Sequence, residues 1–295
     1  MYLAELEIQN FRCFRIIKLN FQPGLNVIVG ENNTGKTAIL DAIRILLGQG
    51  KYRYDVSEDD FNHNADGLRT GNICEIHATF KDLSAEEQGG FSICLSPSLG
   101  QNIAQIHIRY EIITKGTTPR MKRPIIWGGE REGESIHNDV LDGISLVYLE
   151  ALRNAQVGLM PGRGNRVSRL IQQLVKTEHD RDRLTTIIAD ANQKIEKDIL
   201  IERSKAMINA RLKGITGEVM AQTADLRLTQ PEFRRITESL RALIGSGQAF
   251  EIEENGLGYN NLLYIATVLG ELQKSKADEV IDLAILLIEE PEAHL

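Results

Sequence analysis

The sequence predicts an α/β protein built around a phosphate-binding loop, and three observations point there. Strand-like stretches (YLAELEI at 2–8, ICEIHATF at 73–80, LAILLI at 283–288) share the chain with helix-spaced ones. Residues 30–37 read Gly30-Glu31-Asn32-Asn33-Thr34-Gly35-Lys36-Thr37, a GxxxxGK[ST] run between an apolar strand signal and a helical one. A further apolar strand, Leu283 to Ile288, closes on two carboxylates, Glu289 and Glu290.

Taken in order, the first strand gives way to a turn at Asn10-Phe11-Arg12-Cys13-Phe14, and residues 15–21 and 25–29 read as two more strands. Leu25-Asn26-Val27-Ile28-Val29 is short, apolar and β-branched, the pattern of a buried strand, and it runs straight into Gly30. After Lys36 the spacing turns helical: Ile39, Leu40, Ile43, Leu46 and Leu47 share one face, with Gly48 as the stop. Residues 50–72 are polar and loop-like. Strand signals return at 73–80, 91–95, 106–113 and 145–149, with Gly and Pro between them. Residues 168–212 contain no Gly or Pro, and Leu184, Ile187, Ile188, Ala191, Ile195 and Ile199 keep helical spacing. This predicts one long amphipathic helix or two, with an apolar stripe that needs a partner. A helix at 231–244 opens on Pro231 and ends at Gly245. Residues 248–253 are strand-like, and the turn Asn255-Gly256-Leu257-Gly258 leads into an apolar helix from 259 to about 274. Domain boundaries are expected near 155 and 250: a lobe over 1–155, a helical region over 156–250, and a last segment over 251–295.

Composition excludes several classes. The 295 residues are 42% hydrophobic and 25% charged, as in globular proteins. No run of 18 apolar residues suggests a membrane span. MYLAELEIQNF lacks the basic start and apolar core of a signal peptide, so a cytoplasmic location is expected. Cys13, Cys74 and Cys94 are scattered without CxxC spacing, which reads as reduced thiols rather than a disulfide framework or zinc site. The six histidines look isolated, and the run Asp55, Glu58, Asp59 and Asp60 looks like a solvated loop. Net charge is −7, but residues 151–250 carry 17 of the 34 basic and only 11 of the 41 acidic residues. That basic middle fits either a charged helical surface or a phosphate-bearing partner.

The glycine run has a specific physical use. A glycine-rich turn points successive backbone N–H groups inward as an anion nest, and the following helix aims its N-terminus at the same point. The expected ATP contacts in this run are Gly30, Asn32, Asn33, Thr34, Gly35, Lys36, Thr37 and Ala38. Lys36 neutralises the β- and γ-phosphates, and the Thr37 hydroxyl takes a Mg2+ coordination position. Hydrolysis needs a second acidic element. Glu289 is expected to reach the metal, with its strand beside the P-loop strand in a parallel sheet. Glu290 is expected to orient or deprotonate the attacking water, making Glu290 and Lys36 the catalytic pair.

The opening LEIQNFRCF, then VGENNTGKT, NGLGYNNLLYIA and LLIEEPEAHL resembles the ABC-type ATPase heads of the SMC and RecF-like group. LVYLEALRNA, PGRGNRVSRLI and IEEPEAHL are most similar to the OLD family (overcoming lysogenization defect nucleases), which includes the ATPase-nuclease subunit of the Gabija anti-phage defence system. The resemblance covers essentially the whole chain. It implies a P-loop head with a mixed sheet, an antiparallel β-subdomain and an inserted α-helical dimerisation region. It implies that Arg12 lies near nucleotide phosphates. It places the ABC signature at Asn255 to Asn261, so that Asn255, Gly256 and Gly258 of one head cap ATP held by another in a homodimer or higher assembly. DNA is the implied substrate of the full-length protein, and a defence-system partner protein is implied with it. Arg153 lies in a characteristic segment but receives no role. Two departures stand out: Glu289 occupies the usual Asp position, and the family's switch histidine and Toprim nuclease domain have no counterpart in these residues. The expectation is thus a shortened or split protein without the nuclease active site.

Three functions remain open on sequence: the ATPase head of an OLD-type endonuclease, a nucleotide-binding assembly module without turnover, and a RecF- or SMC-like DNA repair ATPase. For DNA contact the candidates are Arg163, Arg166 and Arg169, with Gly162 and Gly164 allowing close backbone approach. The same arginines fit pairing with acidic residues, or service to the nucleotide, equally well.

Overall fold

The computed structural model describes all residues except 101, 116–117, 134–135, 137, 151–154, 218–221, 246–248 and 291–295. Arg153 and the Pro291–Leu295 tail therefore lie outside the described residues. The chain divides into two compact units, Met1–Arg153 with Ser275–His294, and Asn154–Lys274.

The first unit holds strands β1 (Tyr2–Phe11), β2 (Phe14–Asn20), β3 (Ile73–Lys81), β4 (Ala104–Lys115), β5 (Thr118–Met121), β6 (Ile125–Gly128) and β7 (Ile144–Leu149), and helices α1 (Lys36–Leu47), α2 (Ala85–Gly90) and α3 (Asn138–Asp142). Strands β8 and β9 fall in the other unit, and β10 (Leu283–Ile288) returns to this one. An antiparallel sheet runs β2-β1-β3-β4-β5, with β6 also pairing β4. Leu6, Ile8, Ile76, Ala78, Ile106 and Ile108 alternate inward along it. Helix α1 buries Ile39, Ile43, Leu46 and Leu47 in the same core, as its spacing requires. A second, two-stranded sheet pairs β10 with β7 in parallel, with Leu287 opposite Tyr148.

Several expectations change. Leu25–Val29 forms no strand: its backbone has no ladder partner among the described residues, and Leu25, Val27 and Val29 are 90%, 71% and 85% exposed. β10 therefore pairs with β7 and not with the P-loop segment. A strand exists only where another supplies its hydrogen bonds, which composition cannot reveal. Residues 92–94 form a 3-10 turn rather than a strand, and β5 and β6 went unpredicted. The histidines are not all isolated. His77 and His107 are cross-strand partners with Nδ1 atoms 2.6 Å apart, and His107 stacks on Trp127. Nor is the acidic run wholly solvated, because Asp60 is buried.

The second unit is mainly helical: α4 (Ala155–Leu159), α5 (Arg166–Leu174), α6 (Glu178–Glu196), α7 (Ile199–Thr216), α8 (Phe233–Glu238) and α9 (Leu257–Ala277, reaching into the first unit), with a short hairpin of β8 (Leu243–Ile244) and β9 (Phe250–Glu251). The 168–212 region is thus three helices. Asn165, Thr177 and Asp198 each cap a new N-terminus with a side-chain acceptor. The helix expected at 231–244 stops at Glu238, and Leu243 and Ile244 turn into strand. Helices α6 and α7 bury none of their residues, and Ile187, Leu200 and Met207 stand in solvent.

Candidate active site

The P-loop conformation follows from its residues. Asn33 and Gly35 take left-handed backbone (φ 66° and 97°), which Asn tolerates and Gly adopts freely. Gly35 is also sterically required, since a Cβ there would lie 2.5 Å from Cys13 Sγ and against the Phe14 ring. Thr34 Oγ1 donates to Glu31 O at 2.8 Å and braces the turn. Asn32, Asn33 and Thr34 are exposed, Gly35 serves as N-cap, and Ala38 is buried in the first turn of α1. The Lys36 ammonium donates to the carbonyls of Gly30 and Glu31 at 2.6 and 2.7 Å.

Thr37 and Glu289 meet although 252 positions apart: the Thr37 hydroxyl donates to Glu289 Oε1. The other oxygen, Oε2, accepts from the Tyr148 phenol. Glu289 N donates to Leu149 O at 2.9 Å, so the β10–β7 ladder holds its backbone as well. Burial first, and then the bond to Glu289, push the Tyr148 phenol well above its ordinary pKa. Glu290 is exposed and takes left-handed backbone (φ 44°), an uncommon state for Glu and one that gathers at functional sites.

Arg12 is a brace. It donates to Asp41 at 2.7 Å, Asp60 at 2.9 Å and Tyr54 OH at 2.7 Å. Burial works against its charge, but Asp60, Tyr54 and Asp41 outweigh it and raise its pKa. Asp60 is held below the usual carboxylate range: burial opposes this, while the Ser57 amide, Arg12 and Tyr54 overcome it. Asp41 also accepts from Arg44 at 2.6 Å, and the Arg44 guanidinium lies 4.0 Å from the Tyr148 ring centre. Sequence reading passed over Asp41, Arg44 and Tyr148, and took Asp60 for part of a solvated loop. The available signal was Asp41, an acid on the apolar side of α1, because a charge there demands a partner.

The other candidates lie in the second unit. Arg163 and Arg169 are exposed. Arg166 is not available for DNA: it is 6% exposed, bonded to Glu271 at 2.6 Å and set over the Tyr264 ring. Asn255 donates to the carbonyls of Phe250 and Glu251, and Gly256 is exposed just before α9, with Gly258 in its first turn. Among the described residues no cluster of three or more His, Cys, Asp or Glu could hold a metal. The Thr37–Glu289 pair nonetheless offers hydroxyl and carboxylate oxygens converging on one point, a donor set suited to a hard cation such as Mg2+.

Residues 1–199 and 144–295 match the family described as AAA ATPase domain. The chain belongs to that family. This AAA ATPase domain is 39% identical over 66 residues to DNA replication and repair protein RecF of Francisella tularensis, in subsp. mediasiatica (strain FSC147) and subsp. novicida (strain U112) alike. The match covers 22% of this chain and only 19% of those relatives. Among solved structures, RecF–ATP, a recombination mediator of the RecFOR pathway, aligns over 100% of this chain and 86% of its own, at 14% identity and TM-score 0.44. A chain from work on ATP-driven dimerisation and DNA-stimulated activation of SMC ATPases aligns over 48% of this one and 76% of its own, at 23% identity and TM-score 0.33. No helix among the described residues is long and apolar enough to cross a membrane.

Proposed function

We propose that this ATPase domain is a Mg2+-ATP-hydrolysing head that dimerises around nucleotide and controls DNA processing. The observation that carries the reading is the meeting of the Thr37 hydroxyl and the Glu289 carboxylate at the start of the P-loop helix. Backbone N–H groups of the loop and the N-terminus of α1 take the phosphates. Lys36 exchanges two neutral carbonyls for phosphate oxygens. Thr37 and Glu289 hold the metal, which when bound neutralises phosphate charge. Glu290 holds the attacking water and accepts its proton. Asn255, Gly256 and Gly258 face the nucleotide of a second head, while Arg163 and Arg169 contact DNA phosphates. Arg12 serves the site indirectly, by holding α1 through Asp41.

Within that reading, LVYLEALRNA, PGRGNRVSRLI and IEEPEAHL support the head of an OLD-type endonuclease. The 39% identity to RecF over 66 residues supports a repair ATPase without nuclease. ATP hydrolysis with increasing Mg2+ tests the shared core. Lys36→Ala loses nucleotide binding. Glu290→Gln keeps binding and lowers turnover by about 10²- to 10⁴-fold. Turnover of the parent no higher than that of Lys36→Ala rejects hydrolysis and leaves a nucleotide-binding assembly module.

A further inference from the structure

We infer that Tyr148 is a positioning residue for Glu289, acting through its hydroxyl rather than its ring. The inference rests on the reading of Glu289 as the metal-facing carboxylate. A glutamate has one more rotatable bond than an aspartate, so its carboxylate at a strand end is harder to hold in one orientation. Here both oxygens are engaged, Oε1 by Thr37 and Oε2 by Tyr148. The phenol is itself held. Tyr148 sits opposite Leu287 in the β7–β10 ladder and is 8% exposed. Its ring faces the Arg44 guanidinium, which Asp41 and the Tyr52 carbonyl fix in turn. The hydroxyl is thus a rigid donor aimed at one oxygen, leaving the other edge of the carboxylate turned to Thr37. An outer partner of this kind orients a metal ligand without touching the metal.

The test compares the full chain with Tyr148→Phe, Tyr148→Leu and Glu289→Ala. Binding of a fluorescent ATP analogue is followed as Mg2+ is added, beside ATPase assays and thermal unfolding. Tyr148→Phe keeps the ring over Arg44 and removes one oxygen. It is expected to raise the Mg2+ concentration for half-maximal nucleotide retention about tenfold. Metal affinity should fall more than turnover at saturating Mg2+, with nucleotide affinity without metal as in the parent. If Tyr148→Phe matches the parent and only Tyr148→Leu is impaired, the ring matters through packing and the positioning role is overturned. If Glu289→Ala weakens the Mg2+ response and Tyr148→Phe does not, the reading of Glu289 stands and the role of Tyr148 falls. If Glu289→Ala leaves the Mg2+ response intact, both fall.

Discussion

Gly35 shows how much one position can demand. Its φ of 97° excludes most side chains, and the space a Cβ would need is filled by Cys13 and Phe14. Gly35→Ala combines a left-handed penalty with overpacking and should cost about 2–4 kcal/mol in urea unfolding, while abolishing nucleotide binding. His107 makes a pH-dependent contribution. Burial first, and then the neighbouring His77, lower its pKa from 6.5 to about 4. The unfolded chain takes up this proton as pH falls through 6.5, while the folded chain does not until about 4. Stability from this group is complete above 6.5 and is lost between 6.5 and 4. Glu75, Arg109 and Glu132 form an ion-pair cluster beside His77. His107→Phe should flatten unfolding free energy against pH in that window, by at most about 3 kcal/mol.

At the scale of elements, buried charges decide which helices stay in place. Arg12 ties β1's end to α1 and to the loop carrying Asp60. Arg12→Ala leaves Asp60 buried without its cation. Asp41 keeps Arg44, and Arg12 is itself about a quarter exposed, so the loss should sit near the low end for a broken buried pair, about 3 kcal/mol by denaturant titration. Removal of Arg166 should be costlier, about 3–5 kcal/mol, because that pair is enclosed on both sides (7% and 9% exposed).

Across the whole molecule, charge and apolar surface are unevenly spread. The 151–250 segment is basic in an otherwise acidic chain, and Arg163 and Arg169 are exposed on it. If they meet DNA phosphates, Arg163→Ala and Arg169→Ala should each weaken binding evenly across sequences. Each should also reduce the slope of log affinity against log salt by about 1. Arg166→Ala should leave that slope alone, because Arg166 is buried against Glu271. Light scattering should show two heads associating with Mg2+-ATP in Glu290→Gln and staying apart in Lys36→Ala.

The sequence by itself determined the P-loop, the apolar face of α1, the β10 strand with its paired glutamates and the β-rich lobe. Each is written in neighbouring residues: a glycine spacing, a 3.6 or 2.0 period, a carboxylate after an apolar run. Only the tertiary structure decided the rest. Leu25–Val29 has strand composition but, among the described residues, no partner to complete its hydrogen bonds. Arg166 lies 105 positions from Glu271, and Tyr148 lies 141 from Glu289. The identity of Asp41, Asp60 or Tyr148 names no partner. A hydrogen bond or ion pair takes its meaning from the group opposite, and over such separations only the packed fold specifies that group.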